Sequence, residues 1–408
     1  MFKNEVAEFI YKRTYSRWLE DENRREDWPE TIERLITFLI SKRPDIPEKT
    51  IVKLRKYMME FAVMPSMRFL WAAGPAADFD NTCIYNCAFA KINSIEAFSE
   101  CLYILMCGTG FGFSVEQEEV AKLPEVPEIK SGRALPKVTI KDSKAGWADS
   151  VKILMGSLYD GQNLYFDYSE IRPEGARLHT MGGRASGPNP LIKLHDFIRE
   201  TMHNAQGRKL TPLEAHDICN QIAEIVVVGG VRRSSQISLS DLDDKNMRHA
   251  KDWPYPIKRA MANNSAIYKD KPSAAQFLKE WGSLALSGTG ERGIFNLNAA
   301  QSKAPSRRYA PLIQGTNPCG EIMLRDMQFC NLSEVVVREE DDLDSLLDKV
   351  ETAAWLGVIQ STFTDFPYLR KEWKKNCDVE RLLGVSLTGQ MDNPSLMNSE
   401  ALKALKSR

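Results

Sequence analysis

The segment QGTNPCGEI, Gln314 to Ile322, sets an amide, a thiol and a carboxylate at alternate positions: Asn317, Cys319 and Glu321. In an extended segment alternate side chains share a face about 6 to 7 Å apart, so the three are expected to point the same way. Pro318 fixes one φ angle and removes a donor, and Gly320 lets the backbone bend or approach a ligand closely. The thiol can be deprotonated or oxidised by one electron. The carboxylate can take a proton from a hydroxyl, and the amide can hold a second hydroxyl without titrating. Such a set suits a small polar ring, and sugar chemistry fits those roles. The same spacing also fits a plain turn around a buried cysteine, with Glu321 solvated.

The 408 residues that must position this segment can bury a large core, as two or three domains or one large α/β unit. Hydrophobic residues at 43% and charged residues at 27% are ordinary for a globular protein, and Lys+Arg 54 against Asp+Glu 55 leaves a net charge of -1. That balance gives no electrostatic case for nucleic acid or a membrane surface. The charged N-terminus lacks a signal-peptide core, and no run approaches the roughly 18 apolar residues of a membrane span, so a cytoplasmic chain is expected. The eight cysteines, at 83, 87, 101, 107, 219, 319, 330 and 377, are then expected to be reduced thiols. None forms a C-x-x-C or pairs with a histidine, so no metal site is expected.

From Glu5 to about Met64 apolar residues recur at three and four, which predicts a helical N-terminal region over 1–64, with Asp45-Ile-Pro-Glu as an N-cap. Beyond it, β-rich runs (MRFLWAAG, CIYNCAFA, GFGFSVE, YFDYSEI, EIVVVGGVRRSSQISLS) alternate with helical stretches such as SIEAFSECLYILM and TPLEAHDICNQIAEI. That alternation predicts an α/β fold with much parallel pairing. KLPEVPEIKSGRALPKVTIKDSKAGW, with three prolines, reads as an exposed excursion, and MGGRASGPNP as a turn or loop. CGTGFGF follows a helix and precedes a strand, the reverse of a phosphate-cradling turn. REEDDLD, at 338–344, reads as the start of a solvated helix.

TNPCGEI followed by CNLSEV, together with YNCAF at Tyr85–Phe89, resembles the finger loop, redox strand and partner-cysteine strand of ribonucleotide reductases. MPSMRFLW, GTGFGFSV, DYSEIRPEGA, GGRASGPNPL, DICNQIAEIVVVGGVRRSSQISL and ANNSA extend the likeness in order along the chain, and it is greatest to the adenosylcobalamin-dependent, class II enzymes. The resemblance implies part of a ten-stranded α/β barrel over 65–408, incomplete at the C-terminus, with an effector-site excursion about 115–190 and a finger loop about 311–325.

By the same resemblance Cys319 becomes a thiyl radical that takes the ribose 3′ hydrogen, Glu321 removes the 3′-hydroxyl proton, and Asn317 hydrogen-bonds the sugar. Cys87 and Cys330 deliver two electrons and close a transient disulfide. Ser66 and Asn86 match positions that hold the substrate. Asp167 and Arg172 fall in the effector loop, and Arg232 in the loop linking effector to substrate base. Adenosylcobalamin is the implied cofactor. The implied partners are a ribonucleotide substrate, more readily a triphosphate, a deoxynucleotide effector and a thioredoxin-like reductant. The family's serine-glycine-threonine phosphate loop and C-terminal C-x-x-C are missing, so the chain reads as an N-terminal portion that needs a complementary C-terminal chain. An iron-dependent class I large subunit and a non-catalytic nucleotide-binding fragment are the alternatives.

Overall fold

The N-terminal periodicity folds into three helices, Glu5–Thr14, Trp28–Lys42 and Glu48–Met59, with a short ribbon pairing Trp18–Leu19 and Arg24–Arg25 between the first two. The second helix starts on Asp27, whose amide donates to the Glu30 carboxylate at 2.7 Å, and its inner stripe buries Trp28, Ile32, Leu35, Ile36 and Leu39. The third does not start at Asp45. That carboxylate is taken by Arg43 at 2.7 Å, and the helix begins after Pro47.

The computed structural model describes residues 2, 4–130, 136–178, 183–228 and 232–407. Its main sheet has eight strands: β1 (Val63–Pro65), β2 (Cys87–Lys91), β3 (Gly110–Ser114), β4 (Gln236–Asp241), β5 (Ala262–Tyr268), β6 (Gly293–Asn296), β9 (Gln328–Val336) and β10 (Leu383–Thr388). A hairpin of β7 (Ile313–Thr316) and β8 (Met323–Arg325) is separate from it. Strands β2 to β6 pair in parallel in the order β6-β5-β4-β3-β2, and β9 and β10 pair in parallel. The two sets meet antiparallel where β9 lies against β2 and then β1. The result is the curled sheet of an incomplete α/β barrel, with β6 and β10 at its edges.

Helices link the parallel strands, as such connections require. Ile95–Met106 joins β2 to β3, and Pro212–Ile225, on a Thr211/Glu214 capping box, leads toward β4. One large core joins the N-terminal helices to these linkers and the outer sheet face. A smaller inner cluster of Phe89, Ile237, Leu239, Ile267, Phe295, Leu324 and Cys330 surrounds the hairpin.

Two readings of the sequence change. MRFLWAAG is a helix, Met67–Ala72, rather than a strand, because the Ser66 hydroxyl caps it by accepting from the Phe69 amide at 3.1 Å, while Phe69, Leu70 and Ala72 are buried. The proline-rich excursion is only partly exposed: Leu123, Val126, Ile129 and Ile140 are buried. YFDYSEI supplies Tyr165–Asp167, which pairs with Lys137–Thr139 in a ribbon off the main sheet. The acidic run at 338–344 does lead into a helix, Leu343–Gln360, capped by Asp342, but Asp341 is buried against Lys349 at 2.7 Å.

His195 and His216 are buried, bonded to Ser150 and Tyr168 and to Ser238 and Asn220 respectively, and burial depresses both from 6.5 to about 3. The unfolded chain therefore binds protons that the folded one refuses between pH 6.5 and about 3. Stability is expected to be fully held above pH 6.5 and to fall as the pH drops below it. In urea titrations across this range, His195→Gln should flatten the slope; an unchanged slope counts against a neutral buried ring.

Candidate active site

The hairpin that carries Cys319 is seated by missing side chains. A Cβ on Gly112 of β3 would lie 2.1 Å from the Thr316 carbonyl oxygen, and one on Gly315 of β7 would lie 2.1 Å from the Phe89 ring. Bare backbone at both positions lets β7 press against the sheet with Phe89 wedged beneath it.

At the hairpin's tip the chain turns instead of staying extended. The Gly320 amide donates to the Asn317 carbonyl at 3.0 Å, Pro318 supplies the fixed φ, and Gly320 takes φ +86°. Asn317, Cys319 and Glu321 therefore do not share a face by alternation. Asn317 is fully buried, whereas Cys319 and Glu321 are exposed. The Asn317 Oδ1 accepts from the Ile322 amide at 2.9 Å and pins the turn, which leaves its Nδ2 buried with no hydrogen-bond partner.

Under the tip lie the other two cysteines. Cys87 on β2 and Cys330 on β9 are direct antiparallel partners, and their thiols share a hydrogen bond. Directly opposed residues sit about 4.5–5.5 Å apart at Cα, inside the roughly 4.4–6.8 Å that disulfides span. That bond to Cys87 and burial raise the Cys330 thiol well above its ordinary range, and the Glu321 charge adds to the shift. The tip meets this pair over Gly110, where a Cβ would lie 3.1 Å from Pro318 and 3.2 Å from the Cys87 sulfur. None of the eight cysteines is in a disulfide.

Asn86 stitches the ladder beside the pair. Its amide donates to the Cys330 carbonyl and its Oδ1 accepts from the Leu332 amide, both at 3.2 Å. Ser66 lies where β1 leaves the same edge of β9, next to Pro65, the partner of Ser333, with its hydroxyl serving the helix cap. Arg232 pairs through its backbone with Val228, and Gly229–Val231 of that loop lie outside the described residues. Asp167 and Arg172 belong to the excursion. Asp167, bonded to Lys137 and the Ser169 amide, is held at about 2, and Arg172 pairs with Asp142 at 2.6 Å. Among the described residues no group of three or more His, Cys, Asp or Glu side chains is placed to hold a metal ion.

Local motifs gave no sign of Glu380. Its nearly buried carboxylate binds Arg308 at 2.9 Å, Arg325 of β8 at 2.8 Å and Gln328 of β9 at 2.7 Å, while Arg308 also donates to the Met323 carbonyl at 3.0 Å. One carboxylate thus clamps β8, the hairpin's return strand, to β9. Burial would raise it, but the bonds from Arg308 and Gln328 and the charges of Arg308 and Arg325 outweigh that and hold it below 4.5.

Two family models match parts of the chain: "Ribonucleotide reductase alpha domain" over residues 1–75, and "B12-dependent ribonucleotide reductase, insertion domain" over residues 129–202. Adenosylcobalamin-dependent ribonucleoside-triphosphate reductases of Lactobacillus helveticus and Levilactobacillus brevis are 29% and 30% identical over 95% of this chain. A crystal structure of a B-12 dependent (class II) ribonucleotide reductase superposes with a TM-score of 0.80 and 26% identity over 96% of this chain. Over the part they share, the chain is similar to class II ribonucleotide reductases in sequence and fold. It spans 62% and 61% of the length of those two curated relatives and 63% of the class II structure. Its incomplete barrel is the fold of that class II structure over the part they share.

Mild oxidation with diamide should link Cys87 to Cys330 before any other pair, and Cys330→Ser should remove that disulfide from the peptide map; a dominant link to another cysteine would contradict the register. Glu380→Ala leaves two buried guanidinium groups uncompensated and should cost about 3–5 kcal/mol in urea unfolding. The loosened hairpin should also change the alkylation rate of Cys319. Because Glu380 lies below 4.5 when folded, the clamp's contribution is present above pH 4.5 and is lost as the pH falls through the lowered value.

Proposed function

We propose that this chain carries the radical-bearing thiol and the reducing dithiol of a ribonucleotide reductase, acting on ribonucleoside triphosphates. The observation that carries this reading is the direct opposition of Cys87 and Cys330 beneath the turn that bears Cys319. A substrate ribose would lie between the tip and the pair. There the Cys319 sulfur radical takes the 3′ hydrogen, the exposed Glu321 takes the 3′-hydroxyl proton, and the unpartnered Asn317 Nδ2 donates to a sugar oxygen. The 2′-hydroxyl leaves as water, Cys87 and Cys330 supply two electrons and two hydrogens and become a disulfide, Glu321 gives its proton back to the 3′ oxygen, and Cys319 returns the 3′ hydrogen. Asn86 and Ser66 hold the walls of this space, and Asn86 does so by fixing the strands on either side of the pair.

Adenosylcobalamin is the proposed radical source, supported by the insertion-domain match and the names of the relatives. When bound, it supplies the one-electron oxidation of Cys319 that no protein side chain in the site can perform. The site suits a cofactor that brings its own metal ligands, since the described residues offer no metal cluster and Cys319 is exposed at the tip. The same match favours cobalamin over the iron-dependent alternative. The excursion with Asp167 and Arg172 is proposed to read a deoxynucleotide effector, and the loop containing Arg232 to link that effector to the substrate base. A thioredoxin-like dithiol is proposed to reopen the disulfide.

The chain spans 63% of the class II structure, and the helix linking β5 to β6 leaves Leu278, Trp281 and Leu286 exposed. Turnover is proposed to need a polypeptide that supplies the further strands and a phosphate loop. With such a polypeptide, adenosylcobalamin, CTP and dithiothreitol, the chain should form the 2′-deoxynucleotide, and Cys319→Ser should reduce this to background while leaving thermal unfolding unchanged. Equal turnover by that variant would sink the assignment.

A further inference from the structure

A second cluster of reactive side chains lies away from the thiol pair, under the start of the helix Lys144–Tyr159. The Lys144 ammonium donates to the Cys107 sulfur at 3.1 Å and stands 3.9 Å from the Asp80 carboxylate, over the Tyr103 ring. Tyr103 donates to the same carboxylate at 2.7 Å, Cys107 lies 3.6 Å from it, and Cys83 donates to the Asp80 carbonyl at 3.1 Å. Sulfur is a weak acceptor, so a lysine needing only charge balance gains little by placing it nearer than the carboxylate. Cys107 and Asp80 are buried, whereas the Lys144 side chain keeps 24% of its surface. A small oxidant can approach along the lysine.

We propose that Cys107 and Lys144 are the two ends of an oxidative cross-link, a sulfur–oxygen–nitrogen bridge formed with hydrogen peroxide. The thiol and the neutral amine together lose four electrons to two molecules of peroxide. One peroxide oxygen stays between sulfur and nitrogen, the other three leave as water, and the proton that had made the lysine an ammonium passes to Asp80. Geometry favours the oxygen-bridged link over a direct sulfur–nitrogen bond. An inserted oxygen spans nearly the existing separation, whereas direct bonding would draw two groups of a packed core together by more than an ångström. Burial raises the Cys107 thiol despite Lys144, so little thiolate is present at neutral pH and the bridge belongs to sustained oxidant exposure.

The bridge would covalently join two regions that otherwise meet through packing and a few polar contacts, such as the Lys152–Glu96 ion pair at 3.2 Å. Cys107 ends the helix Ile95–Met106 and is followed by Gly108, at φ +82°, and then by β3, whose first residue underlies Pro318. Lys144 opens the first helix of the region matched as an insertion domain. Oxidation would thus staple that region to the strand beneath the finger tip. This proposal does not depend on the reductase reading.

The test is peptide mass mapping of the purified chain after graded hydrogen peroxide. The expected product is one cross-linked pair, the Cys107 and Lys144 peptides joined with the gain of one oxygen and the loss of two hydrogens, and separated again by dithiothreitol. It should be absent from Lys144→Arg, which keeps the charge, and from Cys107→Ser. Sulfinic acid at Cys107 with no cross-linked pair, or a pair that has lost two hydrogens without gaining oxygen, would overturn it; both are read on the wild-type chain, so no variant's folding decides the outcome.

Discussion

The site depends on one reversal of strand direction. Within each parallel set, neighbouring strands run the same way and are joined by helical crossovers, so residues far apart in sequence come side by side with their ends aligned. Where β9 meets β2 the direction inverts, and that contact sets Cys330 directly against Cys87. It also explains how a finger can rise inside the sheet. The chain leaves β8, turns through Asp326 and Met327, which takes φ +52°, and becomes β9 at once. The Asp326 carboxylate accepts from the Lys91 amide at the far end of β2 at 2.8 Å, closing the pairing at that corner. Residues 313–336 are therefore one continuous device that carries the exposed Cys319 thiol at its tip and the buried Cys330 thiol in its returning strand.

What keeps the device in place is a division between backbone fit and charge. Gly112 and Gly315 let the hairpin approach to a distance no side chain would allow, while Phe89, Leu324 and Cys330 fill the space around it. That packing fixes depth but leaves the hairpin free to tilt, and the bonds from Glu380 to Arg308, Arg325 and Gln328 remove that freedom. A buried carboxylate between two guanidinium groups is costly to desolvate and gains little net stability. Its value here is orientation.

Much of this was legible in the sequence, and the failures are physically specific. Asn317, Cys319 and Glu321 stood out by their spacing within one short motif, and Cys87 and Cys330 by the resemblance alone; what the fold adds is their register, which sets Cys330 against Cys87. The expectation that Asn317, Cys319 and Glu321 share a face failed because period-two logic assumes an extended chain, and Pro318 with Gly320 makes a turn instead. MRFLWAAG looked strand-like by composition, but a serine cap outweighed its apolar content. The helix before GTGFGF was readable from its period, whereas the strand read in GFGFSVE begins inside the motif, at Gly110, rather than after it. Glu380 was invisible for a different reason: its partners lie 52, 55 and 72 residues away, and only the folded chain brings them together. The single-residue contacts at Gly112 and Gly315 are equally non-local.

Asn317 has a consequence for selectivity. Its oxygen is spent on holding the turn, so the amide nitrogen cannot rotate away to find another partner without dismantling the loop. A dry, immobile donor is worth about 1–3 kcal/mol to whatever satisfies it. On the proposed reading, a guest with an oxygen at that point would relieve this penalty, and one without it would be held more loosely by about that amount.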